Sequence, residues 1–286
     1  MIQELMIAGV NGITWGLTVA LIALGLNLIF GLLEIVNFAH GSFYMFGAVI
    51  AWFIISATGS FMLALIIAPL IVGGLGMVTE RFVLRRIEDD LALTLIATFA
   101  LLLIFDNAAL LTFGPGTRPI TAPVDGAVTF AGMSYPIYRL VIAAISILLM
   151  IGLYVLLFRT RHGLWMRGIR QDIETASALG VPRSRVYALT FALGTMLAAL
   201  AGVLLAPIVG VNHLMGLDVV VIAFTVVIVG GLGSLKGVLA ASLLYGLIEN
   251  IGTVFISPVL SRVLTFAILI LFILIRPSGL YGSNLV

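Results

Sequence analysis

Polar residues interrupt this chain at a few places, and those places hold nearly all of its chemistry-capable groups. The stretch EIVNFAHGSF, residues 34–43, gathers Glu34, Asn37, His40 and Ser42 between two apolar runs without a Lys or Arg. A membrane helix broken at such a point exposes backbone groups and helix ends at mid-depth, where transporters bind solutes. An ordinary short turn, with Asn37 or Ser42 capping the next helix, explains the same residues. On the first reading, Asn37, Phe38, His40 and Gly41 are candidates for lining a solute pathway. Two further polar pairs, Asp106–Asn107 and Glu249–Asn250, fall late in apolar runs. A charge at the centre of a membrane helix costs roughly 2.5–3.5 kcal/mol. These pairs could therefore line a path or relay protons, or they could hydrogen-bond neighbouring helices near a wet end. No Lys or Arg within the apolar runs is an evident partner for either acid, and Glu249 is expected to be structural.

The longest polar stretch is GIRQDIETASALGVPRSR, residues 168–185. Within it Ile173, Ala176 and Leu179 recur every third residue, giving one short apolar face, while Asp172, Glu174 and Ser177 point elsewhere. Gly180 and Pro182 end the pattern. A helix this short is unstable alone in water, so it belongs packed on its own protein or seated in a partner's groove. A solvated linker that only enforces topology explains the arginines but not the punctuated helix. The Gly-rich VGGLGSLKGV, residues 229–238, lacks the G-x-x-x-x-G-K-[ST] order, since Gly237 follows Lys236. It reads as a tight turn between packed membrane segments. His40, His162 and His213 lie far apart with no H-E-x-x-H spacing, and there is no G-x-S-x-G elbow. Neither metal-binding nor enzymatic chemistry is indicated. With no cysteine, thiolate chemistry and disulfides are excluded.

The elements that must position these groups are membrane helices. Of 286 residues, 62% are hydrophobic and 9% charged, with mean hydropathy +1.29; soluble domains carry about 25% charge. Lipid must solvate most of this chain. Apolar runs fall near 11–30, 41–57, 61–78, 91–113, 137–158, 186–207, 237–256 and 261–275, with a shorter one at 218–233 that spans or re-enters. They are continuous rather than alternating, which indicates helices, not strands. The expected fold is an all-α polytopic membrane protein of eight or nine transmembrane helices, with discontinuous or re-entrant segments near 34–43 and 218–236. It forms a single transmembrane domain, 1–286. Small residues at helical spacing (Gly12–Gly16, Gly237–Ala241, Ser242–Gly246) permit close helix approach, although Gly and Ala are also simply common in membrane helices.

The net charge of +2 and pI near 9.2 do not indicate nucleic acid, because the basic residues lie between apolar runs rather than in one stripe. Arg81, Arg85 and Arg86 occupy one linker; Arg159, Arg161, Arg167, Arg170, Arg183 and Arg185 occupy another, two spans later. Placing both in the cytoplasm puts the N-terminus outside. Nine spans also bring Lys236 and Arg276 inside, with a cytoplasmic C-terminus, and leave Arg118, Arg139 and Arg262 outside. The Gly/Pro-rich segment 114–136 is then an extracytoplasmic loop. The first residues, MIQELMIAGVNG, lack the basic start of a signal peptide and are expected to remain as the first segment.

Five stretches, in order, carry a family resemblance: LTVALIALGLNLIFGLLEIVNFAHGSFYMFGA (17–48), FGPGTRPI (113–120), IRQDIETASALGVPRSRVYALTFALGTMLAALAGVL (169–204), VVIVGGLGSLKGVLAASLLYGLIEN (226–250) and RPSGLYG (276–282). With them the chain resembles the LivH-type permeases of branched-chain amino-acid ABC importers over nearly its full length. The resemblance implies a multi-pass subunit of a bacterial-type cytoplasmic (inner) membrane. It would pair with a second, LivM-like permease, two cytoplasmic ATPase subunits and an external solute-binding protein. No cofactor would be bound by this chain, ATP being hydrolysed by the partner subunits. The segment E-T-A-S-A-L-G, 174–180, is similar to the loop by which importer permeases contact their ATPase, with Thr175 departing from its second position. That implies coupling roles for Asp172, Glu174, Ala176, Leu179, Gly180 and Arg183. Related permeases serve urea and short amides. An ion-coupled secondary transporter would instead use Asp106 or Glu249 and need no ATPase, and a membrane enzyme would need a converging catalytic group, which the sequence does not display.

Overall fold

The structure, a computed structural model, describes residues 1–88, 90–130 and 133–281. Its helices are α1 (Ile2–Leu33), α2 (His40–Thr58), α3 (Phe61–Phe82), α4 (Leu91–Phe113), α5 (Ile137–Arg159), α6 (Arg161–Gln171), α7 (Ile173–Ala178), α8 (Arg183–Val209), α9 (Met215–Gly230), α10 (Leu235–Gly252) and α11 (Pro258–Ile275). Eight of them are long and apolar enough to cross a membrane, and α9 is a shorter apolar helix. Local chemistry sets their ends. Ser60, Asp90, Ser234 and Ser257 each accept a backbone N–H at the start of α3, α4, α10 and α11. Pro258 opens α11, where its missing N–H costs nothing.

Burial orders the bundle. The most apolar windows of α1 and α8 are 89% and 67% buried within the chain, against 17% for α11, so α1 and α8 form the centre and α11 the rim. Close approach there depends on glycine. A Cβ added at Gly12 would lie 2.8 Å from the Gly246 carbonyl oxygen, and one at Gly16 would lie 2.7 Å from that of Ser242. Between α1 and α8, a Cβ at Gly25 would reach within 2.5 Å of the Gly194 oxygen. The small-residue pairs on α1 and α10 are thus contact surfaces, where backbone-to-backbone dispersion replaces the hydrophobic effect that lipid cannot supply.

The two ends of the bundle differ in charge. Arg85 hydrogen-bonds Ser184 and Arg170 hydrogen-bonds the Gly233 carbonyl, which gathers the linkers before α4, before α8 and before α10 at one end. The C-terminal segment joins them, as Leu280 N–H donates to the Val229 carbonyl. Arg118 pairs with Val211 in an isolated bridge at the other end, where Arg139 also meets Asn11. Among the described residues the chain therefore runs between the two ends nine times. α9, about 24 Å long at 1.5 Å per residue, completes one traverse together with the non-helical residues 210–214. The loop after α4 holds more order than its Gly/Pro content indicates: strands β1 (Ala127–Phe130) and β2 (Met133–Pro136) form an antiparallel hairpin.

Candidate functional site: a helix break at mid-depth and an exposed helix pair

α1 ends because Glu34 takes a left-handed conformation, φ 56°, unusual for a residue with a side chain. The chain then turns back into the bundle without helical structure before α2 starts at His40. Thr98 of α4 donates to the Val36 carbonyl at 3.0 Å, satisfying one acceptor in the break. His40 is fully buried, with Nε2 3.0 Å from the carbonyl oxygen of Ile22, near the middle of α1. A carbonyl only accepts, so Nε2 carries a proton, and in the neutral imidazole Nδ1 is then a bare acceptor. That Nδ1 and both polar atoms of the fully buried Asn37 have no hydrogen-bond partner among the described residues. Phe38 packs on Phe99 and Phe224, with centroids 6.2 and 5.1 Å away. Ser42 donates to Asp106 at 2.9 Å.

The structure thus brings Asn37, Phe38, His40 and Gly41 to one region and closes it within the chain. It also supplies a partner that the sequence did not single out. Gly41 lies against the start of α9: a Cβ there would sit 2.2 Å from the Gly216 oxygen, and one on Gly216 would sit 2.6 Å from the Gly41 oxygen. Two helices, α2 and α9, therefore begin inside the bundle and touch at their first turns. Broken traverses of this kind leave helix-end backbone groups at depth.

The second region lies beyond the spans. α6 runs to Gln171, and Asp172 caps α7, its Oδ1 accepting from the backbone of Glu174 and Thr175 at 2.9 and 3.0 Å. The Thr175 hydroxyl donates to Asp172 Oδ2 at 2.5 Å. These bonds, the Thr175 side chain first, hold the Asp172 carboxyl below its ordinary pKa. Thr175, the position that departs from the importer pattern, thus finishes the cap. Gly180 adopts φ +83° with open space around it, and Arg183 binds Glu88 at 2.7 Å and lies over the Tyr187 ring. Ala176 is buried, but Leu179 is 80% exposed. The apolar face expected from Ile173, Ala176 and Leu179 therefore ends at Ala176, because α7 stops at Ala178 and Leu179 is already its C-cap.

The Gly-rich stretch is the turn between α9 and α10, and it joins both regions. Asn27 of α1 accepts from Gly233 N at 2.8 Å, while Arg170 of α6 donates to Gly233 O at 3.1 Å. A further correction concerns Glu249. It does have a basic partner: Arg262 Nε donates to Oε1 at 2.9 Å, and the Trp15 indole donates to Oε2 at 2.8 Å. Arg262 opens the next helix across a turn, so linear distance from an apolar run concealed the pair.

Residues 9–273 match the family described as "Branched-chain amino acid transport system / permease component". The chain is 33% identical to the high-affinity branched-chain amino acid transport system permease protein LivH of Escherichia coli K12, over 95% of this chain and 94% of that one. It is 32% identical to the corresponding permease BraD of Pseudomonas aeruginosa, covering 96% and 94%. A probable LivH of Methanocaldococcus jannaschii is 25% identical over 92% and 88%. Among solved structures, PsaBC from Streptococcus pneumoniae in complex with Fab aligns over 97% of both chains with a TM-score of 0.52 at 16% identity, a likeness of fold. A full-length match to these permeases, on a chain folded as a nine-traverse helical bundle, makes this protein a member of the branched-chain amino acid transport system permease family.

Proposed function

We propose that the chain is the membrane permease subunit of an ATP-driven importer of branched-chain amino acids, with the solute pathway beside the break at 34–41. The observation that carries this reading is a full-length permease match on a chain whose helices α2 and α9 begin at mid-depth. The arginine-rich end faces the cytoplasm, which places the N-terminus outside and the C-terminus inside. A cytoplasmic ATPase docks on residues 168–185, a second permease completes the pathway, and an external binding protein delivers the solute.

A chain of contacts supports a coupling route. α7 is capped rigidly to the end of α6, α6 holds the Gly233 turn through Arg170, and that turn ends α9, whose first turn abuts Gly41. A displacement of the loop by nucleotide-driven motion of the ATPase is carried along α9 as a stiff rod to the break. Asn37 and His40 present polar atoms to a solute without a charged trap, which suits release rather than retention.

The test is uptake of labelled leucine by proteoliposomes holding the permease, its genomic-neighbour ATPases and binding protein. Uptake that requires ATP and competes with isoleucine and valine supports the reading. Uptake driven by a pH gradient without ATP would replace it with a secondary transporter, and competition by urea or acetamide alone would reassign the solute.

A further inference from the structure

A cavity of about 320 Å³ opens at the arginine-rich end, between α1, the last turns of α5, α6 and the start of α10. This size falls within the ~300–1,000 Å³ of ligand pockets. Its lining is chemically two-sided. Arg167, Arg170 and Lys236 stand around it, and no carboxylate lines it. Among the described residues none of the three cations forms an ion pair. Apart from Asn27 and Ser234 the remaining wall is apolar, and it includes the rings of Tyr154 and Phe158, which are 56% and 46% exposed. These rings belong to the last turns of a membrane-crossing helix, so their exposed faces meet lipid at the level where acyl chains give way to headgroups.

From this geometry we infer that the cavity binds one anionic phospholipid of the adjoining leaflet. Its phosphate sits among Arg167, Arg170 and Lys236, and its acyl chain lies along Tyr154 and Phe158. Uncompensated cations above an apolar, laterally open wall match an amphiphile with an anionic head. A soluble anion would leave the apolar wall unused, and a neutral lipid would leave the cations unpaired. Arg167 is pre-set for the role: it donates to the Leu157 carbonyl and lies 5.1 Å from the Phe158 ring centroid. Arg170 holds Gly233 through one nitrogen, so a lipid phosphate on its other face would stiffen the joint between α6 and the α9–α10 turn. The site depends on the fold and not on which solute is carried.

The experiment places the full-length protein in phosphatidylcholine nanodiscs, titrates in phosphatidylglycerol, and counts retained lipids by native mass spectrometry. Wild-type protein should retain one phosphatidylglycerol in preference to phosphatidylcholine. At about fivefold per cation, Lys236→Gln should weaken retention about fivefold and Arg167→Gln/Lys236→Gln about 25-fold. Lys236 is exposed and has no side-chain hydrogen bond among the described residues, so the single variant tests the site even if the double variant folds poorly. Arg159→Gln/Arg161→Gln, which removes equal charge from outside the cavity, should leave retention unchanged. Equal loss in both doubles, or no preference for the anionic lipid, overturns the proposal. So does displacement of the bound lipid by millimolar inorganic phosphate, which would make the site one for a soluble anion.

Discussion

Replacing Glu249 separates a structural carboxylate from one that carries protons. Its side chain is 9% exposed, while that of Arg262 is 51% exposed. Glu249→Gln keeps a carbonyl oxygen for the Trp15 indole but turns its NH2 toward the Arg262 Nε–H, so the Arg262 contact is lost and that guanidinium turns to solvent. With Arg262 half in solvent, that loss is about 0–1 kcal/mol. Glu249→Leu leaves the partly buried indole N–H without its acceptor, an unsatisfied donor worth ~1–3 kcal/mol, and also removes a charged hydrogen bond. The Leu variant should therefore be less stable by roughly 2–4 kcal/mol. At ~2–4 °C per kcal/mol for a chain of this order of size, thermal unfolding followed by fluorescence in detergent should show Glu249→Leu lower by about 4–16 °C. The Gln variant should stay within about 4 °C of wild type and retain most ATP-driven uptake. Combining Glu249→Gln with Arg262→Gln should give a coupling energy of at most about 1 kcal/mol. If the Gln variant folds as stably as wild type yet loses uptake, the reasoning fails, because the charge would then serve transport.

In the exposed helix pair, Glu174→Lys and Gly180→Val should each leave assembly intact but abolish the response of ATPase activity to loaded binding protein. Valine at φ +83° costs about 1–3 kcal/mol of local strain. Normal coupling in both variants would remove residues 171–180 from the ATPase contact. The Asp172 cap should depend on pH in one direction only. Its folded pKa lies below the ordinary carboxylate value, so its stabilisation is complete above that ordinary value and is lost as pH falls through the lowered one. Amide exchange at Glu174 and Thr175 should accelerate in that acid window, beyond the intrinsic change, in wild type but not in Asp172→Asn. Equal behaviour of the two would contradict the cap. Asn37→Cys and His40→Cys, in a chain with no native cysteine, should be shielded from small water-soluble thiol reagents in the closed conformation and labelled during turnover. Protection in every nucleotide state equal to that of a lipid-facing site such as Leu148 would place the pathway elsewhere.

What could be read locally was read in the sequence, and the reason is solvation. Continuous apolar runs mark lipid-solvated helices, charge clusters mark the linkers between them, and a polar interval without arginine marks a break inside the membrane. Each of these is a property of neighbouring residues and survives without knowledge of the fold. The spans, the Gly-rich turn and the punctuated loop therefore stand where the sequence puts them, and the break expected over 34–43 is found within it at 34–39. Tertiary packing alone decided which elements meet. Gly216 is an unremarkable glycine in sequence and becomes the contact of Gly41 only because α9 begins at depth. Arg262 reads as a helix-end topology residue until the α10–α11 turn brings it to Glu249. Arg170 reads as one of six arginines in a linker, yet it alone clasps the Gly233 turn. Such pairings depend on crossing positions and depths of whole helices, and those are set by where glycine lets two backbones close, not by the local pattern of either partner.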